Sequence, residues 1–210
     1  VVVTGIGVIS PVGIGKDNFW NSLMAGKSGI GPITHFDPAE YSTRIAGQVN
    51  DFVPENFLDK KEAKRMDRNT QFSIAASKLA IEDSGIDLEK IDKRRAGVIV
   101  ATGIGGVSTM HDQYETLFAK GPNRISPFFV PMMIANMAAG QTSIQFGFQG
   151  PCLCVVTACT GGTNAIGEAT RKIQHGDADM MLAGGTEAAI SQAAVAGFCP
   201  MKAMSTRNDE

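Results

Sequence analysis

Apolar residues are concentrated in four short, nearly continuous runs separated by longer mixed segments. The runs lie at residues 1–3, 98–101, 152–156 and 180–183. A strand covered on both faces shows no alternation of apolar and polar residues, and such strands are typical of parallel sheets. The four runs therefore predict buried strands in a mainly parallel sheet.

Between these runs, apolar residues recur with the period of an α-helix. One pattern occupies positions 72, 75, 76, 79 and 80 and ends at Ser84-Gly85. An almost wholly apolar helix is predicted for residues 132–146, and another for residues 160–174, closed by His175-Gly176. Strands that alternate with helices predict an α/β layered fold, here as one domain or part of one.

Composition and charge narrow the classes of function. Of the 210 residues, 43% are hydrophobic and 19% are charged, which is ordinary for a folded globular domain. A net charge of -2 gives no sign of nucleic-acid binding, and no apolar run approaches the roughly 20 residues of a membrane span. The chain opens without the basic segment of a signal peptide, so we expect a cytoplasmic protein that binds neither nucleic acid nor membranes.

The cysteine pattern predicts neither a disulfide framework nor a metal site. Cys152 and Cys154 are two residues apart in a predicted strand, which is a poor geometry for a bridge between them. No group of cysteines and histidines has the spacing of a zinc site. With the exception of Cys159, the cysteines are expected to be small buried side chains in a reducing compartment.

Two glycine-rich turns follow predicted strands, and neither completes a nucleotide-binding motif. The turn at residues 5–7 lacks the third glycine of a dinucleotide fingerprint, since Ser10 stands there. The turn at residues 103–106 lacks the Gly-Lys-Ser/Thr of a phosphate-binding loop. We interpret both as tight turns with closely packed backbone, the second of which leaves Ile104 free to point into a cavity.

One cysteine lies where a predicted strand runs directly into a predicted helix. Cys159 follows the apolar run at 152–156 and precedes small residues at positions 161, 162, 165, 167 and 169. The unpaired amides and the dipole of a helix N-terminus would stabilise a thiolate there, and a thiolate can attack a thioester and hold an acyl group. A structural cysteine at the end of a strand fits the same pattern, so the residues alone leave both interpretations open.

The whole chain resembles the β-ketoacyl-acyl carrier protein synthases, and most closely the type II elongating enzymes of bacterial fatty acid synthesis. The ordered matches are VTGIGVISPVG (3–13), HFD (35–37), KRMD (64–67), GIGG (103–106), ISPFFVP (125–131), TAC (157–159), GDAD (176–179), AGG (183–185) and STRND (205–209). So many matches in order make the resemblance specific. One departure is Gly161, which stands where serine is common after the nucleophile.

The resemblance implies a thiolase-like layered fold with a mainly parallel mixed sheet. Residues 1–210 would form an incomplete N-terminal thiolase-like domain with family-specific insertions, and the C-terminal half would be absent. In that family the cysteine, here Cys159, accepts an acyl chain and condenses it with malonyl-acyl carrier protein in a decarboxylative Claisen reaction. Two catalytic histidines and a lysine are expected beyond residue 210, so the 210-residue chain alone is predicted to be inactive.

The resemblance also implies binding residues and partners. Lys61, Lys64 and Arg65 match positions that dock an acidic acyl carrier protein, and Arg124 and Lys202 are assigned the same role. Together with Arg68, the first three residues are spaced i, i+3, i+4 and i+7, so one shared helix face is predicted, for which a plain solvated face is the alternative.

The acyl pocket is expected to contain Ile104 and Phe198, with Phe129 reaching across the interface of a homodimer. No metal and no cofactor is expected. The alternatives are a type I or polyketide ketosynthase, a thiolase, a non-catalytic partner subunit and, from another class, a nucleotide-binding domain. Cys159 argues against a non-catalytic subunit, and the incomplete glycine motifs argue against nucleotide binding.

Overall fold

The computed structural model describes residues 1–209. In chain order the strands are β1 (Ile9–Ser10), β2 (Gly13–Ile14), β3 (Gly31–Pro32), β4 (Ile45–Ala46), β5 (Ala96–Ala101), β6 (Cys152–Leu153) and β7 (Met180–Gly185). The helices are α1 (Lys16–Met24), α2 (Lys60–Ala63), α3 (Arg68–Ser84), α4 (Val107–Lys120), α5 (Phe129–Met133), α6 (Met137–Phe146), α7 (Gly161–Gln174) and α8 (Gln192–Phe198). Short 3-10 turns lie at Pro54–Asn56, Lys93–Arg95, Pro122–Arg124 and Ala158–Thr160.

The sheet at the centre of the described residues has the strand order β6-β5-β7, and both pairings are parallel. β5 pairs with β7 along its whole length, from Ala96 opposite Met180 to Ala101 opposite Gly185. Every residue of β5 is buried. The predicted strands at 98–101 and 180–183 are therefore confirmed and each extends by two residues, whereas the strand predicted for 152–156 is only two residues long.

Helices cover both faces of β5, because its side chains alternate between them. Val98 and Val100 belong to a core cluster that includes Ala138 and Phe146 of α6. The intervening residues Ile99 and Ala101 pack instead in a cluster with Ala165 and Ala169 of α7. This arrangement of helix, sheet and helix confirms the predicted α/β layered fold. β1 with β2 and β3 with β4 form two separate antiparallel pairs.

The strand predicted for residues 1–3 is wrong. Residues 1–8 adopt no regular secondary structure, and Val1, Val2 and Val3 are 64%, 80% and 78% exposed. A cavity of about 530 Å³ is lined by residues 1–7 on one side and by β7 on the other. A strand requires a neighbour for its N–H and C=O groups, and across this cavity no such pairing forms.

Helix α3 agrees with its prediction, and the helix predicted for residues 132–146 does not. α3 ends at Ser84, and Gly85 follows with φ 64°, a left-handed conformation in which glycine is favoured. The predicted helix 132–146 is divided between α5 and α6, because the carbonyl of Met133 accepts the Gly106 amide at 3.0 Å instead of continuing the helix. A Cβ atom at Gly106 would lie 2.1 Å from the Met132 carbonyl oxygen, so this glycine permits the approach.

A buried carboxylate joins the first turns of two helices. Asp67 is 3% exposed and caps α3 by accepting the Asn69 amide at 3.0 Å. Its second oxygen accepts the amide of Thr109 at 3.1 Å and the hydroxyl of Thr109 at 2.6 Å. Because Thr109 lies in the first turn of α4, Asp67 fixes the start of that helix relative to α3.

We predict that the substitution Asp67→Ala lowers the free energy of unfolding by about 2–4 kcal/mol, because α3 loses its cap and Thr109 keeps two buried donors without an acceptor. Asp59 caps the short helix α2 through the amides of Lys61 and Glu62 and is exposed, so Asp59→Ala is the matched control with a much smaller expected loss. Urea unfolding followed by circular dichroism measures both. Equal losses in the two variants would contradict the role given to Asp67.

Candidate active site

Cys159 lies in a 3-10 turn, Ala158–Thr160, that connects the chain after β6 to helix α7. Ala158 has φ 50°, a left-handed conformation that is uncommon for a residue other than glycine. Residues held in such conformations cluster at functional sites, where the backbone must aim one side chain. The Cys159 side chain is exposed rather than sealed in an apolar core. The predicted position at the strand-to-helix turn is therefore what the structure shows.

The helix that follows Cys159 begins without a side-chain cap. Thr160 is the N-cap residue of the 14-residue helix α7 and forms no capping hydrogen bond with its side chain. Instead its hydroxyl donates to the Thr157 carbonyl at 2.8 Å. The first amides of α7 and its dipole are thus available to stabilise negative charge close to Cys159.

Small residues let α7 pack tightly against the sheet. Gly161 is buried, and a Cβ atom there would lie 2.9 Å from the Cβ atom of Ala101 in β5. A Cβ atom at Gly185, the last residue of β7, would lie 3.0 Å from the Cα atom of Gly162. A side chain at position 161 would therefore collide with β5 unless Ala101 or the helix moved.

The loops after β5 and β7 meet beside the cysteine turn. Glu187 accepts the amide of Gly103 at 2.7 Å and the hydroxyl of Thr102 at 3.2 Å. A Cβ atom at Gly103 would lie 3.0 Å from a carboxylate oxygen of Glu187 and 3.8 Å from the Cα atom of Ala158. The sequence reasoning missed Thr102 and Glu187. Their positions just after two predicted strands could have identified them, because the carboxyl ends of neighbouring parallel strands meet at one edge of a sheet.

Of the three residues expected in the acyl pocket, Phe198 alone lines the larger of the two described cavities. Phe198 lines a cavity of about 590 Å³, together with Glu187. Ile104, Phe129 and Cys159 are not among the residues that line it. Ile104 is 40% exposed in the loop after β5, and Phe129 makes an edge contact with the Tyr114 ring at 6.4 Å between centroids. Their joint role stays a prediction.

The expected burial of the other cysteines is wrong. Cys152 is exposed, and Cys154 and Cys199 are partly exposed. Within residues 1–209, β6 has no neighbouring strand on its outer side, which leaves Cys152 accessible. Partial burial raises the pKa values of Cys152 and Cys154, whereas hydrogen bonding from the Ser42 hydroxyl and the Thr43 amide lowers that of Cys199. All four thiols are free, and residues 1–209 contain no cluster suited to a metal ion.

The basic residues predicted to share one helix face are divided by a break in that helix. α2 ends at Ala63 and α3 begins at Arg68, so no continuous helix carries all four. Arg68 turns inward, donates to the Val49 carbonyl, and its guanidinium lies 5.5 and 4.9 Å from the ring centroids of Phe52 and Phe72. Burial lowers its pKa. The prediction that Arg68 belongs to an exposed basic face is therefore wrong.

The five residues predicted to dock a carrier are all exposed: Lys61, Lys64, Arg65, Arg124 and Lys202. The Arg65 guanidinium lies 4.8 Å from the centroid of the Phe128 ring, a cation–π contact. Arg124 closes the 3-10 turn before α5. All five side chains are thus accessible to a protein partner.

No helix among residues 1–209 has both the length and the apolar character needed to cross a membrane.

His175 caps the C-terminal end of α7, at the opposite end of the helix from Cys159.

Comparisons with known proteins converge on one family. A family model described as "Beta-ketoacyl synthase, N-terminal domain" matches residues 1–210. A protein of Synechocystis sp. named "3-oxoacyl-[acyl-carrier-protein] synthase 2" is 50% identical over 210 residues, which are 100% of this chain and 50% of that protein. The chain spans about half the length of the curated relatives it matches.

Solved structures agree with the sequence comparisons. A β-ketoacyl synthase from Burkholderia phymatum is 30% identical with a TM-score of 0.86, over 100% of this chain and 52% of the other. The structure described as "The ishigamide ketosynthase/chain length factor" is 29% identical with a TM-score of 0.90, over 97% of this chain and 51% of the other. These similarities confirm the predicted thiolase-like fold.

Two glycines of α7 provide a matched test of the packing beside Cys159. We predict that Gly161→Ala lowers the free energy of unfolding by about 1–3 kcal/mol, because the new methyl group collides with Ala101. Gly167 is exposed on the same helix with no atom near its Cβ position, so Gly167→Ala should raise that free energy by about 0.5–1 kcal/mol. Urea unfolding measures both, and a stabilising effect at position 161 would refute the tight contact.

Proposed function

We propose, because the chain belongs to the β-ketoacyl synthase family, that it supplies the acyl-accepting thiol of a 3-oxoacyl-acyl carrier protein synthase in fatty acid elongation. The observation that carries the proposal is the exposed Cys159 at the uncapped N-terminus of α7. The left-handed turn at Ala158 and the closely packed glycines of α7 support it by fixing where the sulfur lies. The curated relatives bear the name of this activity.

The first step of the proposed reaction is transfer of an acyl group to the sulfur. The Cys159 thiolate attacks the carbonyl carbon of an acyl thioester, and the resulting oxyanion collapses with loss of the carrier thiolate, which takes up a proton. The amides at the start of α7 favour the anionic form of the nucleophile. The acyl group is then held on Cys159 as a thioester.

The second step forms the new carbon–carbon bond. Malonyl-acyl carrier protein loses carbon dioxide, and the electrons of the broken bond form an enolate. Its carbon attacks the Cys159 thioester, and the cysteine thiolate leaves. The product is a β-ketoacyl-acyl carrier protein two carbons longer. Hydrogen-bond donors must stabilise the enolate oxygen, and the two histidines expected beyond residue 210 would serve there.

An acidic acyl carrier protein is the proposed protein partner. Lys61, Lys64 and Arg65 lie on or directly after α2, and all three side chains are exposed. Arg124 and Lys202 are exposed as well. Basic side chains attract an acidic partner and orient it during encounter. The carrier would thus deliver its acyl group toward Cys159.

A homodimer in the cytoplasm is the proposed state of the intact protein. β6 is an outer strand of its sheet, with Leu153 47% exposed, and the nearby Val156 is 54% exposed. An exposed, apolar outer strand is a surface on which a second chain pairs readily. We propose that a second copy covers it and that Phe129 contributes to the partner's acyl pocket.

Mass spectrometry of the intact protein tests the nucleophile. We predict that the full-length protein, incubated with acyl-acyl carrier protein, gains the mass of one acyl group on Cys159. The variant Cys159→Ser should gain none under the same conditions, and Cys199→Ser should load normally. Failure of the unmodified protein to load, while an established synthase loads beside it, would refute the proposed function.

The 210-residue chain alone is predicted to yield no β-ketoacyl product, because it carries the thiol without the expected histidines. Product formation by the full-length protein and by this chain is compared at equal concentrations with malonyl- and acyl-loaded carrier. Measurable product from the chain alone would contradict the assignment of condensation to residues beyond 210.

Charge reversal tests carrier docking. We predict that Lys61→Glu with Lys64→Glu raises KM for acyl-acyl carrier protein about tenfold or more and weakens its dependence on salt, because attraction becomes repulsion. Loading from a small thioester without the carrier should be unchanged. Lys27→Glu with Lys90→Glu is the control of equal charge change at exposed positions outside the docking set. Equal effects of the two pairs would show a general charge effect and no docking site.

A further inference from the structure

One carboxylate and one hydroxyl hold the loop after β5. Glu187 accepts the Gly103 amide at 2.7 Å, and its two oxygens lie 3.2 and 3.3 Å from the Thr102 hydroxyl oxygen. The same hydroxyl oxygen accepts the amide of Gly105 at 3.0 Å. The amides on both sides of Ile104 are therefore occupied by acceptors that depend on Glu187.

The direction of these hydrogen bonds is fixed by counting protons. A threonine hydroxyl has one proton and also accepts, whereas a carboxylate only accepts. Because Thr102 gives its proton to Glu187, its lone pairs face the Gly105 amide. The Glu187 oxygen that accepts the Gly103 amide also lies 3.2 Å from the Thr102 hydroxyl, so both donors converge on a charged acceptor. Glutamine at position 187 would offer a neutral oxygen there and would place an amide donor where the second carboxylate oxygen now faces the Thr102 hydroxyl. The carboxylate therefore makes the stronger set of hydrogen bonds.

The held loop lies against the turn that carries the cysteine. Gly103 has no side chain, and the space a methyl group would fill there adjoins both Glu187 and the backbone of Ala158. Ile104, between the two held amides, is the large apolar side chain of the loop and is 40% exposed. Neither Thr102 nor Glu187 needs to contact an acyl chain to control where Ile104 points.

We propose that Glu187 and Thr102 are positioning residues that fix Ile104 beside Cys159 and thereby set which acyl chain lengths the thiol accepts. The inference rests on the proposed acyl transfer to Cys159. When either acceptor is lost, residues 103–105 become free to adopt several conformations. Ile104 then no longer presents one fixed surface to the acyl chain. Selectivity between chain lengths then weakens, while the reactivity of the thiol toward a small reagent is retained.

Loading rates of two acyl chains on the full-length protein test the proposal. The probes are butyryl- and dodecanoyl-acyl carrier protein, and the readout is the ratio of their initial rates of Cys159 acylation by intact mass. We expect Glu187→Gln and Thr102→Val to shift this ratio toward one by about three- to tenfold, the range that corresponds to loss of one or two hydrogen bonds. Thr102→Ser keeps the hydroxyl and should preserve the ratio, as should Glu89→Gln, a change at an exposed carboxylate elsewhere.

Two further measurements separate positioning from general damage. Alkylation of Cys159 by iodoacetamide should stay within about twofold of the unmodified rate if the thiol turn is intact, since the acceptors of the loop amides and not the sulfur have been changed. In an Ile104→Ala background, Glu187→Gln should add no further shift in the ratio, because a residue acting through Ile104 has nothing left to position. An undiminished shift in that background would refute the proposal.

The remaining outcomes are distinguishable from failure of the proposed function. If the unmodified protein loads both chains and the variants slow both equally, Glu187 and Thr102 have only a structural role and the inference is wrong. If the unmodified protein loads neither chain, the proposed acyl transfer is wrong, and the inference falls with it.

Discussion

The positions of Thr102, Cys159 and Glu187 follow from the burial of β5 between two layers of helices. Its six residues are all buried, and alternate side chains pack toward α6 and toward α7. Parallel pairing with β6 and β7 brings the carboxyl ends of three strands to one edge. The loops that leave this edge carry Thr102, Cys159 and Glu187. The chemistry proposed for the chain is thus located by a packed strand that has no chemical role of its own.

Polar groups complete what apolar packing begins, because a buried strand places its ends and leaves the loops beyond them undetermined. Asp67 fixes the first turn of α4 relative to α3, and Glu187 fixes the loop between β5 and α4. These carboxylates hold opposite ends of the connection that contains Ile104. Asp67 is buried, so its loss would leave donors without an acceptor, whereas Glu187 is exposed and holds its loop through charge-assisted hydrogen bonds. Together the two carboxylates give this connection a defined shape.

The elements that could be predicted from sequence are those whose pattern is local. Three such patterns appear in the structure: the apolar run at 98–101, the helical period that begins at Phe72, and the strand-to-helix change at Cys159. Each pattern is formed by residues that are close together in the chain. The errors concern contacts between distant segments. Residues 1–3 have the composition of a strand and no paired neighbour. The predicted helix 132–146 is interrupted by the backbone of Gly106, and Arg68 is drawn inward by Phe52 and Phe72. Glu187 was missed because its partners lie 84 and 85 positions away in the chain.

The contact between positions 161 and 101 has an evolutionary consequence. Gly161 has no room for a side chain because the Ala101 methyl group occupies the adjoining space. A side chain at the first position would therefore cost least where the second position is glycine. The two sites form an epistatic pair in which the order of change matters, and a lineage that altered position 161 first would have to survive a destabilised intermediate.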